Sequence, residues 1–155
     1  MISISTILVP TDFSDASAAA LKYGTALAQA FSSSLHVLHV VEEPIVPALV
    51  PETYSVAIPQ MLEDLESRAR EELGRLLTAD EMREFRARTA IERGSPFVTI
   101  VKYARDHAID LVVMGTHGRG PIAHMLLGSV AERVVRKSPC PVLTVRPAQH
   151  AFVMP

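Results

Sequence analysis

The chain has 155 residues, 48% hydrophobic and 21% charged, with a formal net charge of −2 at pH 7. That length suits one domain burying roughly 70% of its unfolded surface, and the apolar content excludes an intrinsically disordered chain. The near-neutral charge excludes a general pull towards nucleic acid or an anionic membrane. No apolar run reaches the ~18–20 residues of a membrane span, no charged n-region precedes an apolar h-region, and the single cysteine excludes an internal disulfide. A cytoplasmic protein without nucleic-acid or membrane partners is the expectation.

Along the chain, strand-like and helix-like segments alternate. Ile4 to Val9 is a short β-branched run that reads as a buried strand stopped by Pro10. Ser14 is placed to cap a helix running to about Phe31, with Ala18, Leu21, Thr25 and Ala28 on one face. Leu35 to Val41 is the second strand. From Glu42 to Pro59 the prolines 44, 47, 51 and 59 argue against a continuous helix or a central strand, so this is the longest irregular segment expected. Helical spacing resumes at Leu62, Leu65, Ala69, Leu73 and Leu76, with Glu63, Glu66, Arg70 and Glu71 facing outward. Phe85 to Glu92 alternates as a half-exposed edge strand should. Gly94-Ser95-Pro96 opens a helix through Val98, Ile100, Val101 and Ala104 to about His107. Leu111 to Met114 is the fourth strand, Ser129 to Lys137 the last helix, and Val142 to Val145 a fifth strand bracketed by Pro139, Pro141 and Pro147.

This alternation asks for α/β architecture: a single doubly wound open sheet of parallel strands with helices on both faces. Ligands of such sheets sit beyond the carboxyl ends of the strands, where the strand order reverses. With the first and fourth strands adjacent at the centre, Pro10, Thr11 and Asp12 line one side of that crevice and Gly115 to Ser129 the other.

Gly115-Thr-His-Gly118, followed by Gly128-Ser129, carries the chemistry. Glycines between a strand and a helix let backbone N–H groups approach a ligand, and the helix start adds free donors and partial positive charge, a recipe for phosphate. On their own Gly118 and Gly120 could equally serve a surface loop; the Gly-Ser at the helix start favours phosphate. A dinucleotide fold wants Gly-x-Gly-x-x-Gly after the first strand, where Pro10-Thr-Asp-Phe-Ser14 stands instead, and no Gly-x4-Gly-Lys-Ser/Thr run occurs. Ser129 is not in a hydrolase elbow. His36 and His39 point to opposite faces of a strand, and His107, His124 and His150 lack ligand spacing, so no protein metal site is expected. Arg133, Arg136 and Lys137 read as a solvated helix face, and Cys140 between two prolines as an apolar structural residue.

The spacing Gly115-x2-Gly118-x9-Gly128-Ser129, the segment Val9-Pro-Thr-Asp-Phe-Ser14, the strand end Leu38-His-Val40 and the closing Ser138-Pro-Cys-Pro-Val-Leu-Thr-Val145 together resemble the universal stress protein family, in its ATP-binding branch. The similarity covers essentially the whole chain. It implies a Rossmann-like sheet of strand order 3-2-1-4-5, a domain over residues 1–147 with a tail at 148–155, and a homodimer. The last strand, Val142 to Val145, is then an exposed apolar edge that invites a second copy. Residue by residue, the resemblance gives Asp12 ribose hydroxyls or the adenine amino group, with Pro10 and Thr11 shaping the same wall. Val40 would meet the adenine edge through its backbone, and Met114 would lie under the nucleotide. Gly115, Gly118, Gly128, Ser129 and Val130 would cradle the phosphates. Arg119, and His117 if protonated, either neutralise phosphate charge or point to solvent. Mg²⁺ or Mn²⁺ would come with the ATP, keeping mostly water and phosphate oxygens as ligands.

Three function classes follow. A dimeric nucleotide-binding regulatory or stress module is favoured. A slow ATPase or other phosphoryl- or nucleotidyl-transfer enzyme is the alternative; no residue stands out as a catalytic base, and the glycine loop has no lysine. A non-nucleotide-binding interaction protein of the same fold would not need the intact glycines.

Overall fold

The computed structural model describes residues 2–44, 52–116 and 127–147. His117, Gly118, Arg119 and Gly120, the prolines 47 and 51, and the tail 148–155 lie outside the described residues. In chain order the elements are β1 (Thr6–Thr11), α1 (Asp15–Phe31), β2 (Ser34–Val41), α2 (Glu52–Leu73) and α3 (Ala79–Glu84). They continue with β3 (Arg88–Arg93), α4 (Pro96–Asp106), β4 (Leu111–Gly115), α5 (Ser129–Lys137) and β5 (Val142–Val145). All neighbouring strands pair in parallel, in the order β3-β2-β1-β4-β5.

The sheet has two apolar faces because its central strands are apolar at successive positions. Ile7, Val9, Leu35 and Val37 turn to the side covered by α1 and α2; Leu8, Leu38, Val112 and Met114 turn to the side of α4 and α5. Each fully buried Val, Leu or Ile contributes about 1.5–3 kcal/mol, so these strands dominate the fold's stability.

Four local expectations need correction. First, β1 does not stop before Pro10 but runs through it to Thr11. The Thr6 carbonyl accepts the Asp110 N–H at 2.9 Å, so Thr6 faces the β4 side, and by strand alternation so does Pro10. The β1–β4 pairing extends only from Ile7↔Leu111 to Leu8↔Val112. Pro10 therefore lacks an N–H where no strand asks for one. Second, Pro59 lies inside α2. It is exposed, so the carbonyl it leaves without a donor can be hydrated. Third, α3 occupies residues where no helix was expected. Thr78 and Glu81 form a reciprocal capping box that starts it, and Phe85, expected to open a strand, caps its end and is buried. Arg86 then reverses the chain at φ 45°, and β3 begins at Arg88. Fourth, the helix faces differ in detail. Ala18, Leu65 and Val98 are exposed; of the expected α1 face Leu21 and Ala28 are buried, joined by Ala16, Ser17, Ala20 and Gly24.

Candidate functional site

Beyond Leu8↔Val112, β1 and β4 part, and a cavity of about 570 Å³ opens at the carboxyl end of the sheet. The nine expected site residues within the described part of the chain all line it. Pro10, Thr11 and Asp12 come from the end of β1, and Val40 from the end of β2. Met114 and Gly115 come from β4, and Gly128, Ser129 and Val130 from the start of α5. Val40 lies one residue past the last β1–β2 pair, Thr11↔His39, so β1 has no residue opposite it.

The β1–α1 turn is tied down by its own hydroxyls. Asp12 Oδ1 accepts from the Ser14 N–H at 3.1 Å and from Ser14 Oγ at 2.5 Å. Asp12 thus closes a turn onto Ser14, and this coexists with its place in the cavity wall. Thr11 Oγ1 accepts the Phe13 N–H at 3.1 Å and donates to Ser17 Oγ at 3.1 Å. Ser14 Oγ in turn accepts the Ser17 N–H, which caps α1.

The other side of the cavity is built differently. Gly128 is the N-cap of α5 and gives its first turn no side-chain hydrogen bond. The start of α5 thus lines the crevice with no cap from its own N-cap residue, the arrangement that suits an anion. Gly128 N–H donates to the Thr116 carbonyl at 2.6 Å, and Thr116 N–H to the Val145 carbonyl at 2.9 Å, anchoring both ends of the intervening segment to the sheet. Gly115 has a packing task besides any ligand contact: a Cβ there would stand 2.8 Å from the Ala16 carbonyl carbon.

Several lining residues were not singled out by sequence. Ser17, His39, Glu42, Leu65 and Ile100 all reach the cavity. Leu65 could have been found as the most exposed leucine position of an otherwise core-facing stripe only once the helix was placed. Beside it, Glu66 pairs with Arg93 of β3, whose guanidinium holds the Glu66 carboxyl below the usual carboxylate range. Such a surface pair adds little stability but ties α2 across the sheet edge. On the opposite face, buried His36 places Nδ1 3.1 Å from the Tyr103 hydroxyl and packs edge-on to His107. Burial, with Arg88 and His107 nearby, pushes the His36 pKa down. Arg136 pairs with Glu132 at 2.9 Å on the solvated face of α5. Among the described residues no helix is long and apolar enough to cross a membrane.

The model of the universal stress protein family matches residues 3–146. The chain belongs to the universal stress protein family. It is 34% identical over 140 residues to the universal stress protein MJ0531 of Methanocaldococcus jannaschii, covering 90% of this chain and 81% of that protein. Among solved structures it resembles the universal stress protein UspA from Lactobacillus plantarum, with a TM-score of 0.79 at 27% identity over 94% of this chain and 100% of that one. A universal stress protein crystallised in complex with cAMP matches at a TM-score of 0.57 and 28% identity, over 95% of this chain and 100% of its own. The universal stress protein fold accounts for the strand order and for the position of the crevice at its switch point.

Proposed function

We propose that this universal stress protein is a nucleotide-binding regulatory module that holds ATP in the crevice between β1 and β4. The observation that carries the reading is convergence: residues from four separate segments, chosen for adenine, ribose and phosphate contacts, line one cavity. The donor set fits the ligand. The α5 N-terminus, without a side-chain cap, suits the phosphates, Asp12 suits hydroxyl or amino donors, and Leu38, Ile100 and Met114 give the base an apolar wall. Gly118 and Arg119 belong to the same reading through the family pattern. Mg²⁺ or Mn²⁺ would arrive with the nucleotide and take mostly phosphate oxygens and water. The related cAMP complex supports an adenine nucleotide as the ligand class.

The residues bind and orient; none is assigned to activate water. Asp12, the acidic group beside the β1 end, already accepts two hydrogen bonds from Ser14. The dimer of this reading forms through β5, an edge of the sheet with Leu143 exposed. The test is to denature the purified protein and identify the released ligand by mass spectrometry. ATP or ADP is expected, with slow or no phosphate release from added ATP. An empty site that takes up no ATP overturns the proposal, and a monomeric mass by light scattering at micromolar concentration overturns the dimer.

A further inference from the structure

We propose that His39 is a positioning residue for the crevice, clamping the β1–α1 turn so that Asp12 is presented at the cavity wall. This rests on the nucleotide reading above for its consequence, but not for its geometry.

The turn needs a clamp. Phe13, a bulky non-glycine residue, sits in the left-handed region at φ 63°, a conformation that persists only where surrounding contacts fix it. The turn is also a thin partition. The cavity of about 570 Å³ lies on one flank and a second of about 420 Å³ on the other, and both are lined by Thr11 and Ser17. The hydrogen bonds among Thr11, Asp12, Phe13, Ser14 and Ser17 are local: they tie the turn to the end of β1 and the start of α1, and to no other strand. His39 supplies two contacts from a different strand. Its Nδ1 lies 2.8 Å from the Thr11 carbonyl oxygen, and its ring stacks on Phe13 with centroids 4.5 Å apart and planes 30° apart. A carbonyl oxygen only accepts, so Nδ1 carries the proton, and the ring is locked in one tautomer and one orientation. His39 reads the turn twice, once through a backbone acceptor and once through the strained residue's side chain.

The two contacts separate by substitution. In His39→Asn the side-chain amide can replace the Nδ1–H donor but not the ring; His39→Phe keeps the ring without the donor; His39→Ala keeps neither. MgATP affinity by calorimetry should fall about tenfold in His39→Ala, with each of the other two recovering part of the loss. Amide hydrogen exchange should accelerate at Phe13 and Ser14 while Val112 to Met114 stays protected. In the free wild-type protein, imidazole ¹⁵N shifts should report a protonated Nδ1 on His39. Unchanged affinity in His39→Ala, exchange that accelerates equally throughout the sheet, or an unprotonated Nδ1 overturns the proposal. If the wild-type protein itself binds no ATP, the function proposed above fails, and the exchange and ¹⁵N measurements still decide the clamp.

Discussion

Two helices begin at the same crevice and treat their N-termini in opposite ways. α1 is capped by Ser14, whose hydroxyl accepts the Ser17 N–H while also bonding Asp12, and Asp15 adds a carboxylate to its first turn. α5 begins with Gly128, makes no side-chain cap, and carries the acidic residue of its first turn, Glu132, three positions past the helix start at Ser129. The capped end spends its donors on its own chain and thereby fixes a loop; the uncapped end keeps its donors for something else. A site therefore needs both kinds of helix start, one for shape and one for affinity.

The largest effect should come from the glycine that lets β4 pass the first turn of α1. Gly115→Ala would press a Cβ to 2.8 Å from the backbone of Ala16, so it should cost roughly 1–3 kcal/mol of stability, read by urea denaturation. A variant as stable as the wild type would mean that α1 and β4 are not fixed against each other. Next, Gly128→Asp gives α5 the kind of cap that α1 already has. MgATP affinity should drop tenfold or more while the melting temperature holds or rises, because the new carboxylate competes with phosphate for the same N–H groups. Retained affinity would break the assignment of the α5 start to phosphate. Ser14→Ala makes the reverse change, removing the cap of α1 and a bond to Asp12. About 1 kcal/mol of stability should be lost, accompanied by weaker nucleotide binding.

The smallest effect lies away from both helix starts and serves as their control. His36 is buried with its pKa below the ordinary value of 6.5, so as pH falls below 6.5 the unfolded chain takes up this proton before the folded one does. Stability rises with pH wherever the unfolded state binds more protons, so the His36 contribution is lost on going down through its folded pKa. Arg88 of β3, Tyr103 of α4 and His107, the C-cap of α4, face the same ring. Urea titrations at pH 5 and pH 7 should show a steeper loss in the wild type than in His36→Gln; equal slopes would mean that the ring is hydrated.

Much of this architecture was legible in the sequence, and the parts that were not share a cause. The bounds of α5 and β5 follow from local chemistry: a Gly-Ser start, a helical period, and prolines on either side of a short apolar run. The site residues at strand ends could be named because a parallel α/β topology sends every such end to one side. Pro10 and Pro59 misled because a proline matters only when a neighbour wants its N–H, and what the neighbours want is tertiary information. At Pro10 β4 has already departed; at Pro59 the helix surface is wet. The helix at Ala79–Glu84 was legible in principle, since Thr78-x-x-Glu81 is a capping-box pattern, but six residues show too little periodicity to stand out. His39 and Leu65 were invisible as wall residues, since one stands in an apolar strand and the other in a core-like stripe, and only the assembled sheet turns them to the crevice.

The pair of bonds at Thr116 has a consequence for how such a protein can diversify. With its N–H on the Val145 carbonyl and its own carbonyl on the Gly128 N–H, Thr116 brings both ends of the segment between β4 and α5 to one point on the sheet. Chain length inside that point is nearly free: doubling a flexible loop costs only about 0.6 kcal/mol in closure entropy. Insertions and deletions there leave the register of β4 and β5 untouched. That stretch can therefore be rewritten, by evolution or by an engineer grafting a peptide, independently of the sheet that carries it.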